Sequence, residues 1–265
     1  MDASFWLKIS LSFVVGSLWV TLTTLSAERF GSKVGGLIGG LPSTVVIALL
    51  FIGITQSPAI AAEATTSMPL AQGLNGLFVL VFILIIRRGL SAALITSLLV
   101  WFINATILYL LDLQSFLVSL AGWLILLAFS YLAVERWMRI SSQGKQTISY
   151  QPSQLVWRAL FGGSVISLAV IMGKLGGPLL GGIFGSFPAM FLSTLVITAR
   201  TGGGDFSRSV GKSMLVSGLI NVPIYEIMVR ALYPSIGLGW ATLISLLGSM
   251  ATGYLTYRFI TTRMT

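Results

Sequence analysis

The chain is dominated by continuous apolar runs that charged and turn residues separate. A helix needs about 20 residues to cross a bilayer, so these runs predict membrane-spanning helices; the strands of a membrane barrel would alternate apolar and polar residues instead. The pattern predicts an all-α integral membrane protein with nine spans, at about 4–27, 34–54, 67–86, 90–111, 115–134, 156–173, 179–199, 210–232 and 236–257.

Composition agrees with this assignment. Of the 265 residues, 55% are hydrophobic and only 9% are charged, against roughly a quarter charged in a soluble domain. The sequence contains neither cysteine nor histidine, which removes disulfides, Cys/His metal sites and nucleophiles that depend on a histidine base. We therefore expect no enzyme, no cofactor and no metal site.

The basic residues indicate the orientation in the membrane. With nine spans, 13 of the 16 Lys and Arg residues fall on one side, and only Lys8, Lys174 and Arg230 fall on the other. Because the basic side is cytoplasmic, we expect the N-terminus outside and the C-terminus inside a bacterial-type inner membrane. The net charge of +9 then reflects topology and contact with membrane lipids; binding of nucleic acid is not expected.

An internal repeat organises the chain. The octapeptide 35–42 recurs at 181–188, and at this offset of 146 ten of the 45 positions from 31 to 75 are identical. The predicted division is a first repeat at 1–112, a linker helix with a cytoplasmic loop at 113–154, and a second repeat at 155–265. Because the linker helix adds one crossing, the two four-helix repeats are expected to be inverted, as in many secondary transporters.

The second helix of each repeat is expected to be broken. Proline lacks an N–H group and disrupts a helix, here directly after glycine-rich segments. The half-helices that follow would direct N-terminal N–H groups into a shared gap, an arrangement that favours anions. The alternative is that the glycines only allow close helix packing around a tolerated kink. The candidate substrate residues are Gly39, Gly40, Pro42, Ser43, Thr44, Gly185, Ser186, Pro188, Ser193 and Thr194.

Polar residues inside the predicted spans add candidates. The equivalent Asn75 and Asn221 could line the pathway or bond the opened backbone near the breaks, and Gln72 is a further pathway candidate. Glu226 is the one acid well inside a predicted span, which makes it a candidate for coupling transport to protons. A local ion pair with Arg230, at i+4, is the alternative. Asp205 and Glu63 are expected in loops.

Each half resembles a known family. The segment 182–191, with the sequence GIFGSFPAMF, is similar to the pattern of the GlpM-like small inner-membrane proteins. The resemblance implies a four-helix unit of the kind that a dual-topology homodimer would pair. It implies no functional residues.

These features together favour a secondary transporter or facilitator of a small solute, an anionic one included. The alternatives are a channel for an ion or small solute and a lipid flippase or scramblase. The expected partners are the solute, membrane lipids and further copies of the chain.

Overall fold

The computed structural model describes residues 3–29, 41–140 and 150–263. These residues form helices and no strands. They include a 3₁₀ turn at Ile86–Arg88 and a π-helical turn at Ala133–Trp137. The α-helices are α1 Ala3–Arg29, α2 Ser43–Thr55, α3 Pro58–Ala64, α4 Met68–Ile85, α5 Leu90–Leu110, α6 Phe116–Leu132, α7 Pro152–Leu175, α8 Gly177–Gly185, α9 Ala189–Ile236 and α10 Leu238–Arg263.

Seven stretches within the described residues are long and apolar enough to span a membrane. One of them, 177–236, covers two predicted spans, and α2 forms the second part of the predicted span 34–54 as a shorter apolar helix. The protein is therefore built as a helical membrane protein, and the count of nine crossings stays a prediction.

The connection between the seventh and eighth predicted spans is not a loop. Helix α9 consists of two helical segments that meet there, because Gly203, at φ +83° and ψ 175°, has non-helical geometry between them. Its two arms fold back on each other, since Ser207 Oγ donates to the Leu195 carbonyl oxygen at 2.9 Å. The prediction that Asp205 lies in a flexible loop is wrong, because its carboxylate pairs with Arg87 and Arg208. Glu63 is also helical, in α3.

The helices form a buried centre and an apolar outer layer. In α4 and in the stretch from α8 to α9, most residues of the apolar 18-residue segment are buried. In α5 and α10, only 22% of the corresponding segment is buried. Large apolar side chains such as Ile95, Leu99 and Leu247 stay exposed on these outer helices. Exposed apolar surface of this extent matches contact with lipid.

Helices α1 and α7 pack antiparallel, and their contacts are reciprocal. A Cβ atom added to Gly16 would lie 2.6 Å from Ile166 Cδ1, and one added to Gly162 would lie 2.8 Å from Val20 Cγ2. Gly162 and Ile166 are the positions equivalent to Gly16 and Val20 at the offset of 146. The two halves therefore exchange one contact, as two copies do across a two-fold axis.

Candidate functional site

The two predicted breaks have the same backbone geometry. Pro42 has φ −74° and ψ 50°, and Pro188 has φ −76° and ψ 45°. In each case the next N–H donates to the carbonyl before the proline, from Ser43 to Leu41 at 2.8 Å and from Ala189 to Phe187 at 2.7 Å. These bonds close inverse γ-turns. Helix α2 begins directly after the first turn, and the second turn separates α8 from α9.

Both helix starts leave backbone N–H groups open. Proline carbonyls accept from the N–H groups of Val46 and Leu192, at 2.9 and 2.8 Å. The N–H groups of the two residues before Val46, and of the two residues before Leu192, have no partner inside their helix. No described side chain caps either helix start. Open N–H groups and the positive end of the helix dipole attract negative charge.

A small cavity lies between the two helix starts. Its volume is about 30 Å³, room for one or two water molecules. Four equivalent pairs of positions contribute to the wall: 41 and 187, 42 and 188, 44 and 190, and 45 and 191. The lining residues are Leu41, Pro42, Ser43, Thr44, Val45, Gln72, Asn75, Phe187, Pro188, Met190, Phe191 and Val222.

The side chain of Asn75 joins α4 to the second break. Its amide nitrogen donates to the Ser186 carbonyl oxygen and to Gln72 Oε1, both at 2.8 Å. Its amide oxygen accepts from Trp101 Nε1 at 2.9 Å. Asn75 therefore lines the cavity and also bonds the opened backbone, while its place in a transport pathway stays a prediction.

Asn221 has a different setting. Its amide nitrogen donates to Ser217 Oγ at 3.1 Å, and its amide oxygen accepts from Thr256 Oγ1 at 3.2 Å. Its carbonyl oxygen accepts from Ser249 Oγ. These bonds join α9 to α10, and Asn221 is not among the residues that line the cavity.

Glu226 is completely buried, and neither of its carboxyl oxygens has a hydrogen-bond partner among the described residues. It lies one turn after the cavity-lining Val222, and Gln72, also in the cavity wall, is near enough to interact with it. The alternative of a local pair with Arg230 is wrong. Arg230 turns away to Thr66 Oγ1, at 2.8 Å, and to the Ala62 carbonyl oxygen, at 3.3 Å.

The remaining candidates are distributed around the second break. The Ser186 side chain is buried and its hydroxyl has no partner among the described residues, while Ser193 Oγ donates to the Met190 carbonyl oxygen of its own helix. Neither they nor Gly185 or Thr194 line the cavity. Gly39 and Gly40 lie outside the described residues.

The charge pattern predicts Arg158 only as a cytoplasmic charge, whereas the structure buries it between residues of both halves. Its side chain is 5% exposed. It donates from Nε to Thr24 Oγ1, at 3.0 Å, and from Nη1 to Thr194 Oγ1, at 2.6 Å. No local pattern could have found it, because Thr24 is 134 residues away in the sequence.

Comparison with known proteins gives a family. A family model described as "Protein of unknown function (DUF3147)" matches residues 9–114 and, separately, residues 155–250. No curated protein and no solved structure matches the chain. The two matched regions agree with a two-half architecture, and the chain belongs to the DUF3147 family.

Proposed function

We propose that the protein is a secondary transporter that moves a small anionic solute across the membrane by alternating access. The observation that carries this proposal is that two equivalent helix starts, one from each half, open onto a single cavity. Paired interruptions of this kind, with half-helix N-termini at the substrate, are a recurrent design of secondary transporters.

Inverted halves would give the two faces of the membrane equivalent routes to this cavity. The reciprocal contact between α1 and α7 supports such a two-fold relation, since these equivalent helices run antiparallel. The glycines that precede α5 and α10 support the repeat as well, because Gly89 and Gly237, which are 148 positions apart, both have positive φ. On this basis we retain nine crossings, with the N-terminus outside and the C-terminus in the cytoplasm of a bacterial-type cell.

The cavity size favours a carrier over a channel with a fixed filter. A space of about 30 Å³ holds a water molecule or two but no organic solute. The walls at Pro42 and Pro188 must therefore move apart before a larger solute can enter. Rigid-body rocking of one repeat against the other is the usual way to achieve this.

Glu226 is proposed to couple this movement to protons. An ionised carboxylate without a partner in an apolar interior is costly, which favours a bound proton in the conformation described here. Gln72 lies between this carboxyl group and the cavity. When the cavity opens, water can reach the carboxyl group through the Gln72 position, and the proton can leave.

The proposal assigns the protein no catalytic chemistry and no cofactor. The likeness of each half to GlpM-like proteins stays a prediction, as does assembly into homo-oligomers. If the likeness holds, one chain contains the pair of units that a dual-topology dimer would assemble from two chains.

Solid-supported-membrane electrophysiology on proteoliposomes tests the transport proposal. Inorganic and organic anions would be applied with and without a proton gradient, and we expect a current that saturates with solute concentration. The variants Pro42→Ala and Pro188→Ala should lose it. Pro152→Ala is the matched control, because Pro152 also begins a helix but lies away from the cavity. A current that does not saturate, with single-channel openings, would favour the channel alternative.

A further inference from the structure

Arg158 is a buried cation that lacks a carboxylate partner within the part of the chain that the structure describes. The ion pairs found there join other residues. Its neighbours are the hydroxyl oxygens of Thr24 and Thr194, together with the ring of Tyr150, whose centroid is 5.5 Å from the guanidinium carbon. These groups satisfy N–H donors but supply no negative charge, so the described side chains leave the positive charge of Arg158 unbalanced.

Two contacts connect this charge to residues of the cavity wall. On α9, Thr194 follows the cavity-lining Met190 by four residues and therefore lies on the same helix face. On α7, Phe161 follows Arg158 by three residues, and its ring contacts the ring of the cavity-lining Phe187 at a centroid distance of 6.1 Å. A movement of the backbone around Pro188 would therefore change both the hydrogen bond to Thr194 and the contact between the two phenylalanine rings.

The charge is present in one half only. The position equivalent to Arg158 at the offset of 146 is Ser12, whose hydroxyl lies 3.1 Å from Ser167 Oγ. A hydroxyl pair is therefore enough to join α1 and α7 at the equivalent place. Packing of these helices does not require an arginine, which leaves its charge to be explained.

We propose that Arg158 is the residue that recognises the negatively charged group of the solute, a carboxylate or a phosphate. This inference rests on the proposed transport function and adds its substrate class. A guanidinium group can donate two parallel hydrogen bonds to either anion. In the conformation described here the threonine hydroxyls hold it in place, and an anion that enters when the cavity widens replaces at least one of them.

The same chemistry could come from a free anion or from a lipid headgroup. Thermal unfolding of the purified protein, followed by tryptophan fluorescence, separates these sources. In neutral phosphatidylcholine nanodiscs, sodium phosphate or sodium succinate would be compared with sodium chloride at equal ionic strength. In the second arm, phosphatidylglycerol would replace part of the phosphatidylcholine, with no added anion.

Binding to the folded state raises the unfolding temperature. We expect at least one of the two soluble anions to stabilise the wild-type protein, with an apparent affinity roughly tenfold or more weaker in Arg158→Gln and intermediate in Arg158→Lys. Lys174→Gln removes an exposed cation and should bind like the wild type. Stabilisation by phosphatidylglycerol alone, lost in Arg158→Gln, would support the site with a lipid as the ligand. The absence of any Arg158-dependent shift in both arms would overturn the proposal.

A measurement on the wild-type chain covers the case in which Arg158→Gln does not fold. Phenylglyoxal modifies arginines that it can reach, which for the buried Arg158 requires the cavity to widen, and peptide mass spectrometry locates the modification. Phosphate or succinate should slow modification at Arg158 at least severalfold and leave Arg87, which is exposed, unchanged. Equal rates at Arg158 with and without anion would contradict the proposal. Protection of Arg158 without any transport current would support the anion site and contradict the transport proposal. Transport of uncharged solutes or cations alone would support the transport proposal and contradict the anion site.

Discussion

The side-chain amide of Asn75 donates to the carbonyl oxygen of Ser186 at 2.8 Å, across 111 positions of sequence. Ser186 stands where α8 ends, so its carbonyl lacks the helix partner that a continuous helix would provide. A side chain of the first half therefore binds the backbone of the second half at its break. The same amide receives a hydrogen bond from Trp101.

Replacing Asn75 by leucine should destabilise the fold. Two buried groups, the Ser186 carbonyl and Trp101 Nε1, would lose their partner, at a cost of about 1–3 kcal/mol for each unsatisfied group. Unfolding by sodium dodecyl sulfate in mixed micelles, followed by tryptophan fluorescence, measures the change. Asn104→Leu is the control, because Asn104 is half-buried and bonds only the Val100 carbonyl of its own helix. Equal losses for both variants would show that the bridge contributes nothing specific.

Two glycines of the repeated octapeptide should differ in their tolerance of alanine. A Cβ atom on Gly182 would collide with the carbonyl oxygen of Ala64, a backbone atom, whereas one on Gly185 would make ordinary contacts with Met68 Cε at 3.6 Å and Ala48 Cβ at 3.8 Å. Gly182→Ala should therefore lower the unfolding temperature and the folded yield, and Gly185→Ala should change neither by much. The prediction fails if Gly185→Ala is the more damaging substitution.

The break at Pro188 and the turn at Pro42 could be predicted from sequence because their signal is local and occurs twice. Glycine-rich segments followed by proline weaken a helix, and the similar octapeptides in the two halves indicated one shared geometry. The antiparallel packing of α1 and α7 is consistent with an inverted repeat, because equivalent helices of inverted copies run in opposite directions.

The contacts of the charged residues could not be predicted in this way. The spacing of Glu226 and Arg230 suggested a local pair, but Arg230 has better partners 164 and 168 residues away. Similarly, the glycine run 202–204 suggested a loop, yet Asp205 is bonded by Arg87 from α4's end. In both cases the contacts depend on residues that are far away in the sequence. A single sequence does not show which distant residues lie close together.

The ion pair of Lys212 and Glu135 should contribute more to stability than exposed pairs do. The two atoms are 2.8 Å apart, and the Lys212 side chain is 1% exposed. Breaking a buried pair leaves one charge uncompensated, so Glu135→Gln or Lys212→Met should each cost about 3 kcal/mol, with partial recovery in the double variant. Denaturant titration tests this. Arg87→Gln, which breaks a pair exposed on both sides, should have a much smaller effect; a larger effect there would contradict the ranking.

Proton dependence should separate Glu226 from Arg230. Glu226→Gln keeps the shape of the side chain but cannot release a proton, so solute currents should no longer respond to a proton gradient. Arg230→Gln should retain that response, because Arg230 bonds Thr66 and the Ala62 carbonyl rather than Glu226. The comparison requires proteoliposomes with equal amounts of folded protein. If the response is lost in Arg230→Gln and retained in Glu226→Gln, the proposed coupling is wrong.

Access to the cavity from both faces tests the central claim most directly. The chain has no cysteine, so Thr44→Cys and Met190→Cys can each be made alone, at equivalent positions of the cavity wall. A membrane-impermeant thiol reagent would be applied to right-side-out and inside-out vesicles, with the lipid-facing Leu99→Cys as the control. The account predicts that both cavity cysteines react from either face and that the control does not react. A proton gradient should raise the reaction rate from one face and lower the reaction rate from the other. Reaction confined to one face, or rates that rise on both faces together, would contradict alternating access.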